Sequence, residues 1–151
     1  MPVKSYFSLI KFSHTIFAMP FALIGYFIAI HTNTHQNLDW YTLSLIIACM
    51  VTARNAAMAF NRWADRRIDA RNPRTAVREI PSGLISSRSA FIFVLINMVL
   101  FMFCAYLINT LCLLLSPLAL FIILAYSYTK RFSWLCHLFL GLGLSLAPIG
   151  A

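Results

Sequence analysis

The chain has 151 residues, of which 61% are hydrophobic and 11% charged, whereas soluble domains average about 25% charged. That balance argues against a water-soluble globular domain and for a lipid-solvated one. Twelve Lys and Arg against four Asp and Glu give a formal net charge of +8, but most of these cations crowd between Arg54 and Arg88 beside Asp65, Asp69 and Glu79, so the polar chemistry is local and not a nucleic-acid-binding face.

The amino-terminal stretch places Lys4 and Lys11 ahead of an apolar run from Phe12 to Ile30. It resembles a signal sequence, yet the run is long and lacks an evident cleavage site, which predicts an uncleaved first helix. A bilayer's hydrocarbon core needs about 20 apolar residues per helix, because no water is present there to satisfy free backbone groups. Four runs meet that need, at 12–30, 41–60, 89–108 and 111–129, and a fifth opens near Trp134 and is still apolar at Ala151. The predicted fold class is all-α, a multi-span helical membrane bundle of four complete transmembrane helices and a truncated fifth.

Between the spans lie a polar loop from His31 to Asp39, a long basic loop over 61–87, a turn at Asn109 and Thr110, and a break at Lys130 and Arg131. If the spans alternate, every Lys and Arg of the loops falls on one side, which by the positive-inside rule makes the amino terminus and loop 61–87 cytoplasmic. Pro20, Pro117 and Pro148 sit within spans, where each removes a backbone donor and frees a carbonyl for another partner. Trp40, Tyr41, Trp63 and Trp134 fall near span ends and are expected to anchor the membrane interface. Cys49, Cys104, Cys112 and Cys136 show no paired ligand spacing and are expected to be buried thiols. His31 and His35 share an H-x-x-x-H spacing, but only Asp39 stands near as carboxylate support, so no metal is assigned there.

Asn61, Asp65 and Asp69 are spaced N-x-x-x-D-x-x-x-D at the end of the second run. If the helix continues past Asn61, each step of four overshoots a whole turn by about 40°, so the three side chains share one side. Two carboxylates and an amide oxygen form a hard donor set of the kind that holds Mg²⁺ together with substrate phosphate oxygens. The interleaved arginines supply bidentate donors for a phosphate. An ordinary basic loop touching anionic lipid would show the same composition. Arg54 argues for a site, because a cation inside a span is costly and usually faces a cavity or partner, the alternative being a side chain that snorkels to the interface. Tyr126 and Lys130, spaced Y-x-x-x-K, stack on one side of the fourth helix, where Lys130 either meets a diphosphate with Tyr126 orienting it or serves, with Arg131, as a topology signal.

These motifs resemble the UbiA family of intramembrane aromatic prenyltransferases over the chain from its first helix onward. The segment RNAAMAFNRWADRRIDARNPRTAVREIPSG, from Arg54 to Gly83, carries that family's first aspartate-rich motif with its NPRT and PSG elements, and KFSHTIFAMPFALIG, from Lys11 to Gly25, is similar to first helices of its bacterial 4-hydroxybenzoate branch. The resemblance implies a fold of about nine spans around a cavity open sideways to lipid, of which residues 1–151 form the amino-terminal part of one domain. It implies Mg²⁺ held by Asn61, Asp65 and Asp69, and diphosphate contacts from Arg54, Lys130, Arg74 and Arg78 with Tyr126. The implied reaction passes a polyprenyl group from polyprenyl diphosphate to 4-hydroxybenzoate or a similar aromatic acid in quinone biosynthesis, at the bacterial inner membrane. Other acceptors (dihydroxynaphthoate, haem, chlorin, a lipid alcohol) and a non-catalytic transport or assembly role are the alternatives. The family's second aspartate-rich motif has no counterpart here, since no acidic residue follows Glu79. The chain is therefore expected to be an inactive fragment, or a half-size protein that must self-associate.

Overall fold

Three polar side chains mark where long helices begin. Asp39, in extended conformation, accepts hydrogen bonds from the Tyr41 and Thr42 backbone N–H groups at 3.0 and 3.1 Å. Ser86 caps Ser89 N–H at 3.0 Å, and Asn109 caps Cys112 N–H at 2.7 Å. Each satisfies a donor that a helix start would otherwise leave open. The computed structural model describes residues 3–32, 38–131, 137–138, 141–143 and 145. The expected fifth span, with Trp134, Cys136 and Pro148, lies largely outside these residues, as does His35.

Among the described residues the regular structure is five helices: α1 (Val3–Ile10), α2 (Phe12–Thr32), α3 (Trp40–Asp69), α4 (Ser87–Ile108) and α5 (Thr110–Thr129). The last three are each long and apolar enough to cross a membrane, and α2 is apolar over Met19–Thr32. The runs at 12–30, 41–60, 89–108 and 111–129 thus coincide with α2 to α5, and the all-helical class is the observed one.

Three boundaries differ from expectation. The helix of the second run continues through Asp69, so the loop into α4 is 70–86 and Asn61, Asp65 and Asp69 are helical. Thirty residues at 1.5 Å make α3 about 45 Å long against a hydrocarbon core of about 30 Å, so its last turns rise clear of the apolar layer. The α4–α5 turn is Asn109 alone, whose extended backbone at φ −168°, ψ 168° breaks the helix while Thr110 starts the next. Finally, a separate short helix precedes the first span. It ends where Lys11 takes φ 45°, a left-handed conformation that turns the chain.

Packing is concentrated at two levels. Near the loop end, Leu9 of α1, Ala59 of α3, Ile80 and Ile85 of the loop, and Ala90 and Val94 of α4 form one core cluster. At the other end, Ala22 and Tyr26 of α2 meet Leu43 and Ile46 of α3, with Ile108 of α4 against them. Ala56, Ala59 and Ala90 are fully buried, and such small residues let helices approach closely where lipid offers no hydrophobic drive to associate. Large apolar side chains such as Val99, Leu114 and Phe121 remain exposed, as lipid-facing positions should.

Pro117 sits within α5. It cannot donate to the carbonyl of Leu113 four residues back, and the neighbouring Ser116 hydroxyl donates to that oxygen at 2.8 Å instead. Trp63 is half-buried and packs against Phe91 and Phe60, with ring centroids 4.9 and 5.8 Å away. Trp40 and Tyr41, at the start of α3, are exposed. Cys49, Cys104 and Cys112 are free and half-buried rather than buried.

Candidate functional site

The polar face of α3 is a consequence of spacing. Arg54, Asn61, Asp65 and Asp69 differ by seven, four and four residues, so all four lie within a sector of about 80° on one continuous helix. Arg54 stands about 16 Å down the axis from Asp65, within the apolar span, and its buried Nε has no hydrogen-bond partner among the described residues.

The tertiary fold brings cations to this face from two other elements. Lys130, the residue that ends α5, donates from Nζ to both Asn61 Oδ1 and Asp65 Oδ2. Arg131 donates to the other Asp65 oxygen at 2.8 Å. One turn further, Arg78 of the loop spans both oxygens of Asp69, each at 2.8 Å. The carboxylates are well covered, with side-chain exposures of 14% for Asp65 and 8% for Asp69. The structure thus joins Asn61 and Asp65 through Lys130, and engages Asp69 separately through Arg78. The Tyr126 ring lies 6.0 Å from Lys130 Nζ, and the Tyr128 ring 5.3 Å from the Arg131 guanidinium, both within reach of a cation–π attraction.

Loop 70–86 is held in place by its own polar groups. Thr75 is buried and donates its hydroxyl to the Asp69 carbonyl at 3.0 Å. Ile85 N–H closes onto Glu79 O at 2.9 Å, and Gly83 turns the chain at φ 79°, where a side chain would be strained. Glu79 accepts from the Ser8 hydroxyl of α1. Arg74 is exposed, its backbone N–H donating to the Asn72 side chain at 3.1 Å, and it joins no ion pair among the described residues.

Sequence reasoning missed four participants. Arg131 offers in sequence no more than a topology signal beside Lys130. Arg62, buried with NH1 unpartnered among the described residues, is in sequence one arginine among many. Thr75 carries no signal because a loop hydroxyl bonding a carbonyl six residues back follows no helical spacing, and the Ser8–Glu79 link carries none because its partners are 71 residues apart.

As a donor set for a divalent cation the face is suited in kind: carboxylate and amide oxygens are hard ligands. No group of three or more His, Cys, Asp or Glu lies together among the described residues. A metal here would draw on Asp65, Asp69 and Asn61 and complete its shell with oxygens of a bound anion. Beside this face, Phe60, Met98, Met102, Pro117 and Phe121 line an apolar groove of about 400 Å³ between α3, α4 and α5.

Comparison with known proteins agrees with the all-helical fold. The family model described as the UbiA prenyltransferase family matches residues 18–151. A 4-hydroxybenzoate octaprenyltransferase of Aliivibrio fischeri (strain MJ11) is 37% identical over 109 residues, 72% of this chain and 38% of that protein. One of the same description from Xylella fastidiosa (strain 9a5c) is 31% identical over 103 residues, 68% of this chain and 34% of that protein. The apo structure of a UbiA homolog from Aeropyrum pernix K1 superposes with a TM-score of 0.82 at 39% identity, covering 91% of this chain and 48% of the other. A digeranylgeranylglyceryl phosphate synthase structure has a TM-score of 0.87 at 21% identity, over 98% of this chain and 51% of that one, a likeness of fold. The chain spans well under half the length of these curated relatives.

Proposed function

The chain belongs to the UbiA prenyltransferase family, and from that membership we propose that it forms the diphosphate-binding part of an Mg²⁺-dependent enzyme that moves a polyprenyl group from polyprenyl diphosphate to 4-hydroxybenzoate or a similar aromatic acid in quinone biosynthesis. The single observation carrying this reading is the convergence of Lys130, Arg131 and Arg78 on the Asp65 and Asp69 carboxylates at the end of α3. Those three cations are the donors that a diphosphate would engage.

In this reading Asn61, Asp65 and Asp69 hold Mg²⁺. Bound there, the metal would neutralise charge building on the diphosphate as it departs. Lys130, Arg131 and Arg78 grip the phosphate oxygens with Arg74 joining them from the loop, and Tyr126 orients Lys130. Arg54, expected to contact the diphosphate, stands about 16 Å from Asp65 on the same face, so in this reading it takes an anionic partner at its own level, because a cation inside a span favours one. The allylic C–O bond breaks with its electron pair leaving on the diphosphate. A ring carbon of the acceptor then bonds to the allylic carbon, and the proton lost from that ring carbon restores aromaticity. Apolar helix faces keep water from the allylic cation. The family relation and the bacterial relatives support the inner membrane as its location, with loop 70–86 cytoplasmic by its charge.

The test uses membranes of cells expressing the whole reading frame, with labelled polyprenyl diphosphate and 4-hydroxybenzoate. Prenylated product should form, vanish with EDTA and return with Mg²⁺. Asp65→Asn should lower the rate by about a hundredfold or more, a typical loss when preorganised electrostatic stabilisation is removed. Unchanged transfer by Asp65→Asn would overturn the assignment.

A further inference from the structure

Each side chain assigned above to the metal already carries an internal partner. The Lys130 ammonium bridges Asn61 and Asp65, Arg131 takes the remaining Asp65 oxygen at 2.8 Å, and Arg78 spans Asp69. Three cations thus face two carboxylates. A divalent ion arriving alone would meet net positive charge and occupied oxygens. Because the carboxylates are covered, solvent screens that repulsion weakly. A diphosphate changes the balance, since it brings several negative charges and its own oxygens, to which ammonium and guanidinium groups bind readily.

We propose that Lys130 and Arg131 form a cation latch on Asp65, which excludes divalent metal until a diphosphate draws both side chains onto its own oxygens, so that metal binds with the diphosphate and not before it. This rests on the metal-site reading above. The residues are placed for such an exchange. Both follow the last turn of α5, with side-chain exposures of 24% and 26%, so each can swing without unwinding the helix. The rings of Tyr126 and Tyr128 flank them and offer each cation a resting face on the way. Arg131 becomes a positioning residue for the metal, a role beyond that of a topology signal.

The probe is Mn²⁺, with binding to the purified full chain in lipid nanodiscs followed by electron paramagnetic resonance, alone and with inorganic diphosphate. The wild type should bind Mn²⁺ at least about tenfold more tightly when diphosphate is present, since an opposite charge brought within a few ångströms at a covered site is worth at least that. The double variant Lys130→Met with Arg131→Met should bind Mn²⁺ alone at least about tenfold more tightly than the wild type, and should lose most of the diphosphate effect. Lys130→Gln with Arg131→Gln, which keeps hydrogen-bonding groups, should behave the same way and guards against misfolding of the methionine pair. Wild-type affinity for Mn²⁺ alone equal to that of both variants would overturn the latch while leaving the metal site standing. Mn²⁺ binding that Asp65→Asn does not weaken under either condition would remove the site, and the latch with it.

Discussion

Asp65 and Asp69 are one turn apart on the same helix and yet have different neighbours. Asp65 meets cations from the end of α5, 65 and 66 residues away, whereas Asp69 meets Arg78, nine residues away. Both carboxylates were legible as a pair in the spacing, because helical geometry links residues four apart. Their partners were not, since nothing along the chain says which of twelve Lys and Arg the fold will deliver. At the opposite end of α3, Asp39 is held below the usual carboxylate value of 3.8 first by the Thr42 hydroxyl, then by the Thr42 and Tyr41 backbone N–H groups. Its stabilising effect is therefore complete above that value and is lost as pH falls through the lower folded one. The stability difference between wild type and Asp39→Ala, read as a thermal midpoint in detergent across pH, should be full at pH 6 and shrink only below about 3.8. A difference independent of pH down to 2 would remove the charged cap.

At the level of elements, the long spans were readable because apolar length is itself the physical requirement for crossing lipid. The short ones were not. Helix α1 is only eight residues, too short to stand alone in water, and its existence depends on the burial of Leu9 and Ile10, Leu9 against α3, the loop and α4. Likewise, Ile80 and Ile85 sit in the core, although their surroundings are polar enough in sequence to look like an exposed loop. With the Ser8–Glu79 hydrogen bond, α1 is fastened to the segment that carries Arg78. Leu9→Ala removes a fully buried side chain and should cost about 2–5 kcal/mol. Limited proteolysis at loop 70–86 should accelerate accordingly. A cleavage rate unchanged from wild type would show that α1 does not restrain the loop.

For the molecule as a whole, the exposed apolar surface and the cluster of charges at one end are what a proposed orientation in the membrane rests on. Loop 70–86 brings Arg78, and the end of α5 brings Lys130 and Arg131, to the end of α3 that bears Asp65 and Asp69. By the positive-inside rule that end is the one we propose to face the cytoplasm. Val77 and Leu84 are exposed on the loop, so Val77→Cys or Leu84→Cys, in a background lacking the native cysteines, should react with a membrane-impermeant maleimide only after cells are opened. Labelling in intact spheroplasts would reverse the orientation.

Read alone, the amino-acid order determined the lipid-solvated helical class, the positions of α2 to α5, and the shared face of Asn61, Asp65 and Asp69, because each follows from hydrophobic length or from helical period. The tertiary structure alone decided that α3 runs unbroken through Asp69, that Trp63 packs inward against Phe60 and Phe91, and that Lys130, Arg131 and Arg78 close on the two carboxylates. Those outcomes depend on which helix ends meet in space, and that is settled by how small residues such as Ala56, Ala59 and Ala90 let the helices pack, a long-range balance that no local pattern encodes.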